Sequence, residues 1–122
     1  MKNTARFLYA LCLLLFVGSF LHTVSAHSPP PVAKDLDFTT FRNVPLIERF
    51  SAVEPEGGAV TFEIVTQPRR GTAVSNEDGT FIYTPRERFR GKDSFSYVAV
   101  DACGNVSPAA TVRINVIKPD KR

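Results

Sequence analysis

From Pro31 to the end of the chain no stretch of eleven or more residues carries helical apolar spacing. Short runs rich in Val, Ile, Phe, Thr and Tyr recur instead, separated by Pro, Gly, Asn and Asp. This pattern excludes helical bundles and βαβ folds, which need a helix between strands. Val60, Phe62 and Ile64 alternate with Thr61 and Glu63, and Val112, Ile114 and Val116 alternate with Thr111, Arg113 and Asn115. Each set gives a strand with one buried and one wet face. Phe95, Tyr97 and Ala99 share a face while Val98 and Val100 lie on the other, as in a central strand between two layers. Glu54-Pro55-Glu56-Gly57-Gly58, Asn76-Glu77-Asp78-Gly79 and Asp101-Ala102-Cys103-Gly104-Asn105 supply the turns. The spacing predicts seven strands, near 36–41, 46–52, 60–65, 72–75, 80–84, 93–101 and 109–117, in an all-β antiparallel sandwich.

The first quarter reads as an address. Lys2 and Arg6 precede an apolar run from Phe7 to Leu21, and Val24-Ser25-Ala26 offers small residues for cleavage. That run is 15 residues long and interrupted by Gly18 and Ser19, short for ~30 Å of hydrocarbon. The expected organisation is a signal peptide at 1–26, a Pro-rich lead-in at 27–34, the sandwich at 35–117 and a polar tail at 118–122. A lipid anchor on Cys12 is disfavoured by Leu11 before it. Membrane attachment is expected only through an uncleaved leader, and the localisation is secreted, at or beyond the cell surface.

Removing residues 1–26 changes the chemistry available. Two basic residues and no acid leave, so the net charge falls from +3 to +1. Cys12 leaves too, and Cys103 at a loop tip reads as an incidental free thiol, with an intermolecular disulfide as the alternative. His27 is then the sole histidine, so no Ser-His-Asp, Cys-His or His-rich metal arrangement can form. No enzyme and no cofactor are expected. Basic residues cluster locally: Arg69 and Arg70 in one loop, Arg86, Arg88, Arg90 and Lys92 around another. This patch is the candidate binding surface, suited to anionic wall polymers or acidic glycans. Export disfavours nucleic acid.

Gly79-Thr80-Phe81-Ile82-Tyr83-Thr84-Pro85, followed by Phe89-Arg90-Gly91-Lys92-Asp93-Ser94-Phe95-Ser96-Tyr97, resembles the bacterial Ig-like, cadherin-like tandem-repeat family of secreted and cell-surface proteins. Pro31-Val32-Ala33 with Asp35, Gln67-Pro68 with Gly71-Thr72, and Asp101 with Gly104-Asn105 extend the resemblance over about residues 31–117. It implies an Ig-like Greek-key sandwich acting as a non-enzymatic adhesion, interaction or spacer module. The partner would be a protein or a cell-wall glycan; the oligomeric state stays open. Two alternatives remain. A carbohydrate-binding accessory domain would need exposed Tyr83 and Tyr97 rings. A calcium-stiffened adhesion module would draw on Glu54, Glu56, Asp93 and Asp101, although the acidic turn common in relatives ends here in Gly58.

Overall fold

The computed structural model describes residues 29–120, all strand, turn and loop; the leader and His27 lie outside them. Nine strands follow in chain order: β1 (Val32–Ala33), β2 (Leu36–Phe41), β3 (Leu46–Arg49), β4 (Ala52–Val53), β5 (Val60–Thr66), β6 (Gly71–Ser75), β7 (Thr80–Pro85), β8 (Gly91–Asp101) and β9 (Ala110–Ile117). They build a four-stranded sheet ordered β2-β9-β8-β5, facing a three-stranded sheet ordered β3-β7-β6, with β1 paired to β4. The chain crosses between sheets after β2, after β3 by way of β4, after β5 and after β7, which gives the Greek-key sandwich that the resemblance implies.

Two features depart from the predicted seven antiparallel strands. The second predicted strand, 46–52, divides at Phe50, whose ring turns into the core between β3 and β4. β4 then pairs with β1 inside the expected lead-in, Val32 opposite Val53 and Ala33 opposite Ala52. The second departure is a parallel pairing. β2 runs parallel to β9, Leu36 opposite Val112 through Phe41 opposite Ile117, while the β8–β9 and β5–β8 pairs are antiparallel. No local pattern encodes that direction, because it depends on which edge of the sheet the first long strand joins.

The core follows the alternation. Phe81, Tyr83, Phe95, Tyr97, Val112, Ile114 and Val116 are buried between the sheets. Phe50 packs at 4.6 Å from the Tyr97 ring and 4.9 Å from Phe81, and Phe81 meets Phe95 edge-on at 5.2 Å. Such ring pairs add about 0.5–1.5 kcal/mol each beyond the area they bury. The Tyr97 hydroxyl donates to the carbonyls of Lys34 and Ser51, tying β8 to the β1–β2 and β3–β4 connections. Among the described residues no buried side-chain polar atom lacks a partner. Cys103 corrects one expectation: it is disulfide-bonded, not a free thiol. The expectation rested on removing Cys12, the chain's other cysteine, which lies outside the described residues.

Candidate binding surface

The strand directions gather the β2–β3, β5–β6 and β7–β8 loops at one end of the sandwich. Backbone bonds join them there. The Arg86 amide donates to the Arg70 carbonyl at 2.7 Å, and the Arg88 amide donates to the Asn43 side-chain oxygen at 2.8 Å. The structure therefore brings Arg69, Arg70, Arg86, Arg88, Arg90 and Lys92 to one end, all with exposed side chains. Glu54, Glu56, Glu77 and Asp78 belong to loops at the other end, where β8 finishes at Asp101. The near-neutral sum conceals a molecule with a basic end and an acidic end.

Arg88 is held in an unusual state. It and Asn43 have φ of 65°, a left-handed conformation that costs a side chain other than glycine about 1–2 kcal/mol. Asn tolerates it; arginine does so poorly. The Arg88 side chain is 84% exposed, and its ion pair among the described residues is a 3.9 Å contact with Glu87, worth ~0–1 kcal/mol. The loop presents a cation to solvent on a backbone that glycine would suit better.

Asp93 organises the flank of this end. Its carboxylate accepts from the amides of Arg69 at 3.2 Å, Arg70 at 3.0 Å and Ser94 at 3.0 Å, and from the Tyr83 hydroxyl at 2.8 Å. Burial and the bond to Asp93 both push the Tyr83 hydroxyl pKa well above its ordinary value. Gln67 adds a second clamp, exchanging two 2.9 Å bonds with the Ala73 backbone. The β5–β6 loop is thus pinned as a wall beside the outer face of the four-stranded sheet. Between wall and sheet lies an open groove of about 1070 Å³, lined by Arg69, Arg70, Lys92, Ser94, Arg113, Asn115, Asp37, Thr39 and Thr66 among others.

The groove includes residues that sequence reasoning did not single out. Arg113 grips Asp37 with two bonds, Nε to Oδ1 at 2.8 Å and Nη2 to Oδ2 at 3.0 Å. The guanidinium holds the Asp37 carboxyl below the usual carboxylate range, and the carboxylate raises Arg113 in turn. These side chains are 53% and 70% exposed. The alternation had marked Arg113 as outward-facing; its partner, 76 residues away in sequence, emerges only from the parallel register.

Residues 28–115 match the family described as bacterial Ig domain. The chain belongs to that family. Solved structures agree on the fold of this Ig domain. An endo-fucoidan hydrolase of glycoside hydrolase family 107 superposes with a TM-score of 0.57 at 21% identity, over 74% of this chain and 14% of that one. A mutant of the SrpA adhesin from Streptococcus sanguinis gives 0.52 at 16% identity, over 76% of this chain and 58% of that one. The chain thus spans about a seventh of the hydrolase and just over half of the adhesin structure. No curated protein matches it.

The Ig domain gives the other sequence candidates different roles. Tyr83 and Tyr97 are fully buried at 0% exposure, so neither ring can serve as a sugar-stacking platform. Two of the acids considered for calcium act within their own turns, and Asp93 is taken up in pinning the β5–β6 loop and Tyr83. Glu54 accepts from the Glu56 amide at 3.1 Å, and Asp101 accepts from the amides of Cys103 and Asn105. Asp93 and Asp101 sit at opposite ends of β8, about 27 Å apart at the usual strand rise. Among the described residues no group of three or more His, Cys, Asp or Glu is placed to hold a metal.

Proposed function

We propose that this Ig domain is a non-catalytic interaction module of the cell exterior whose basic end binds an anionic surface glycan or wall polymer. The observation that carries the reading is the left-handed Arg88 within the cluster of exposed arginines. A loop that keeps a strained arginine where glycine would be more stable is retaining the cation for contact. The fold's presence in an adhesin and in polysaccharide hydrolases is in keeping with that partner class. Binding would be electrostatic, fast and salt-sensitive, with loops supplying the contacts and the sandwich supplying rigidity.

The test is retention of the purified protein on an immobilised acidic polysaccharide beside a neutral glucan. Retention on the acidic support alone is expected, with elution by salt. Changing Arg86, Arg88 and Arg90 together to Glu should weaken it at least tenfold without unfolding the domain. Equal retention of that variant would reject the reading. Arg88→Gly provides a cleaner single change: its thermal midpoint should hold or rise, since strain is released, while affinity falls.

A further inference from the structure

We propose that the groove on the outer face of the four-stranded sheet is a separate site for one strand of an anionic polysaccharide, and that Asp37 occupies an anion position within it. The inference takes its ligand class from the anionic partner proposed above and shares Arg69, Arg70 and Lys92 with the basic end, but it turns on Arg113 and Asp37 and not on Arg86, Arg88 and Arg90. Two rows cross the groove floor. Asp37 lies opposite Arg113, which lies opposite Ser94; Thr39 lies opposite Asn115, which lies opposite Lys92. Neighbouring strands are about 4.8 Å apart and successive same-face residues about 6.8 Å apart. The floor therefore alternates cations with hydroxyls and an amide at a pitch near that of a sugar ring. Lys92 and Arg113 are diagonal neighbours on β8 and β9, and Arg69 and Arg70 overhang from the wall that Asp93 pins.

The Asp37–Arg113 pair indicates how an anion is held. A carboxylate meeting guanidinium Nε and Nη2 in parallel is the geometry that a uronate carboxylate or a sulfate ester adopts on arginine. Asp37 thus stands in the place of a ligand anion. Because the pair is largely exposed, it is weakly held and exchangeable. By contrast, Arg69, Arg70 and Lys92 form no salt bridge among the described residues. A ligand anion would meet three uncommitted cations and one that Asp37 already neutralises. The aromatic residue of the lining, Phe38, packs its ring on Phe81 in the core, so it offers a base no stacking face, which favours a saccharide over single-stranded nucleic acid.

Binding of the full chain to polygalacturonate, dextran sulfate, neutral dextran and single-stranded DNA, by calorimetry at fixed ionic strength, tests the site. Polygalacturonate and dextran sulfate separate a carboxylate from a sulfate preference, and tighter binding of either over the other two is expected. Lys92→Gln and Arg113→Gln should each weaken it three- to tenfold. Asp37→Asn should tighten it by a similar factor, because it frees Arg113 and removes a repelling charge. Thermal midpoints serve as the folding control. Unchanged affinity in both cation variants, weakening by Asp37→Asn, or equal or tighter binding of neutral dextran or DNA would overturn the proposal. If Arg86, Arg88 and Arg90 changed to Glu abolish binding while the groove variants do nothing, the loop reading stands and the groove falls. The reverse result leaves the groove and removes the loops.

Discussion

Asp93 shows how one side chain can decide local architecture. Its two oxygens take four donors from three parts of the chain: the β5–β6 loop, β8 itself and β7. An amide at this position would turn an N–H group towards donors and leave some of them buried without an acceptor. Asp93→Asn should therefore cost about 2–3 kcal/mol in urea unfolding, and Tyr83→Phe about 1 kcal/mol. The same tyrosine predicts an alkaline limit. An unfolded tyrosine loses its proton near pH 10, whereas burial holds Tyr83 and Tyr97 protonated to higher pH in the folded domain. Above about pH 10 the unfolded chain has released protons that the native state retains, so stability falls as pH rises; below it these groups contribute no slope. Urea midpoints measured from pH 8 to 11.5 should stay level and then decline, and Tyr83→Phe should shallow the decline.

At the level of elements, the sequence motif and the fold explain each other. Gly71, read only as part of a resemblance, begins β6 one residue before the predicted strand, at a point where a β-carbon would strike the Thr84 carbonyl oxygen. Gly71→Ala should destabilise the β6–β7 hairpin by about 1–3 kcal/mol, read as a lower thermal midpoint. The long strands were legible because alternation survives in them: predicted 36–41 is β2, and 93–101 and 109–117 fall on β8 and β9. The two-residue strands β1 and β4 were not, since two residues carry no period. The binding surface divides the same way. Clustered arginines in two loops are adjacent in sequence and visible there. Arg113 and Asp37 become a pair only through the cross-sheet register, and the strain at Arg88 through its backbone angle. On the outer face of the smaller sheet alternation misleads, because Ile47 is 65% exposed and lies in register with Ile82.

Across the whole molecule, the separation of charges and the position of the first strand have consequences that can be measured. Since Asp93 and Asp101 are set at opposite ends of β8, calcium and a chelator should give the same thermal midpoint; a rise in calcium would restore the adhesion-type calcium reading. The N-terminal boundary offers a sharper test. Pro31 is fully buried, β1 pairs with β4, and the Lys34 carbonyl accepts the Tyr97 hydroxyl. All three contacts lie before Asp35, where composition alone would start the sandwich. A fragment beginning at Pro30 keeps them, whereas one beginning at Asp35 leaves the Tyr97 hydroxyl the Ser51 carbonyl alone of its two acceptors and uncovers the end of the core. Losing a buried proline and one hydrogen bond amounts to about 2–4 kcal/mol, or a midpoint lower by about 10–25 °C in a domain of this size. Equal midpoints for the two fragments would mean that the lead-in merely lies against the sandwich. A large drop would make it the first strand of the domain.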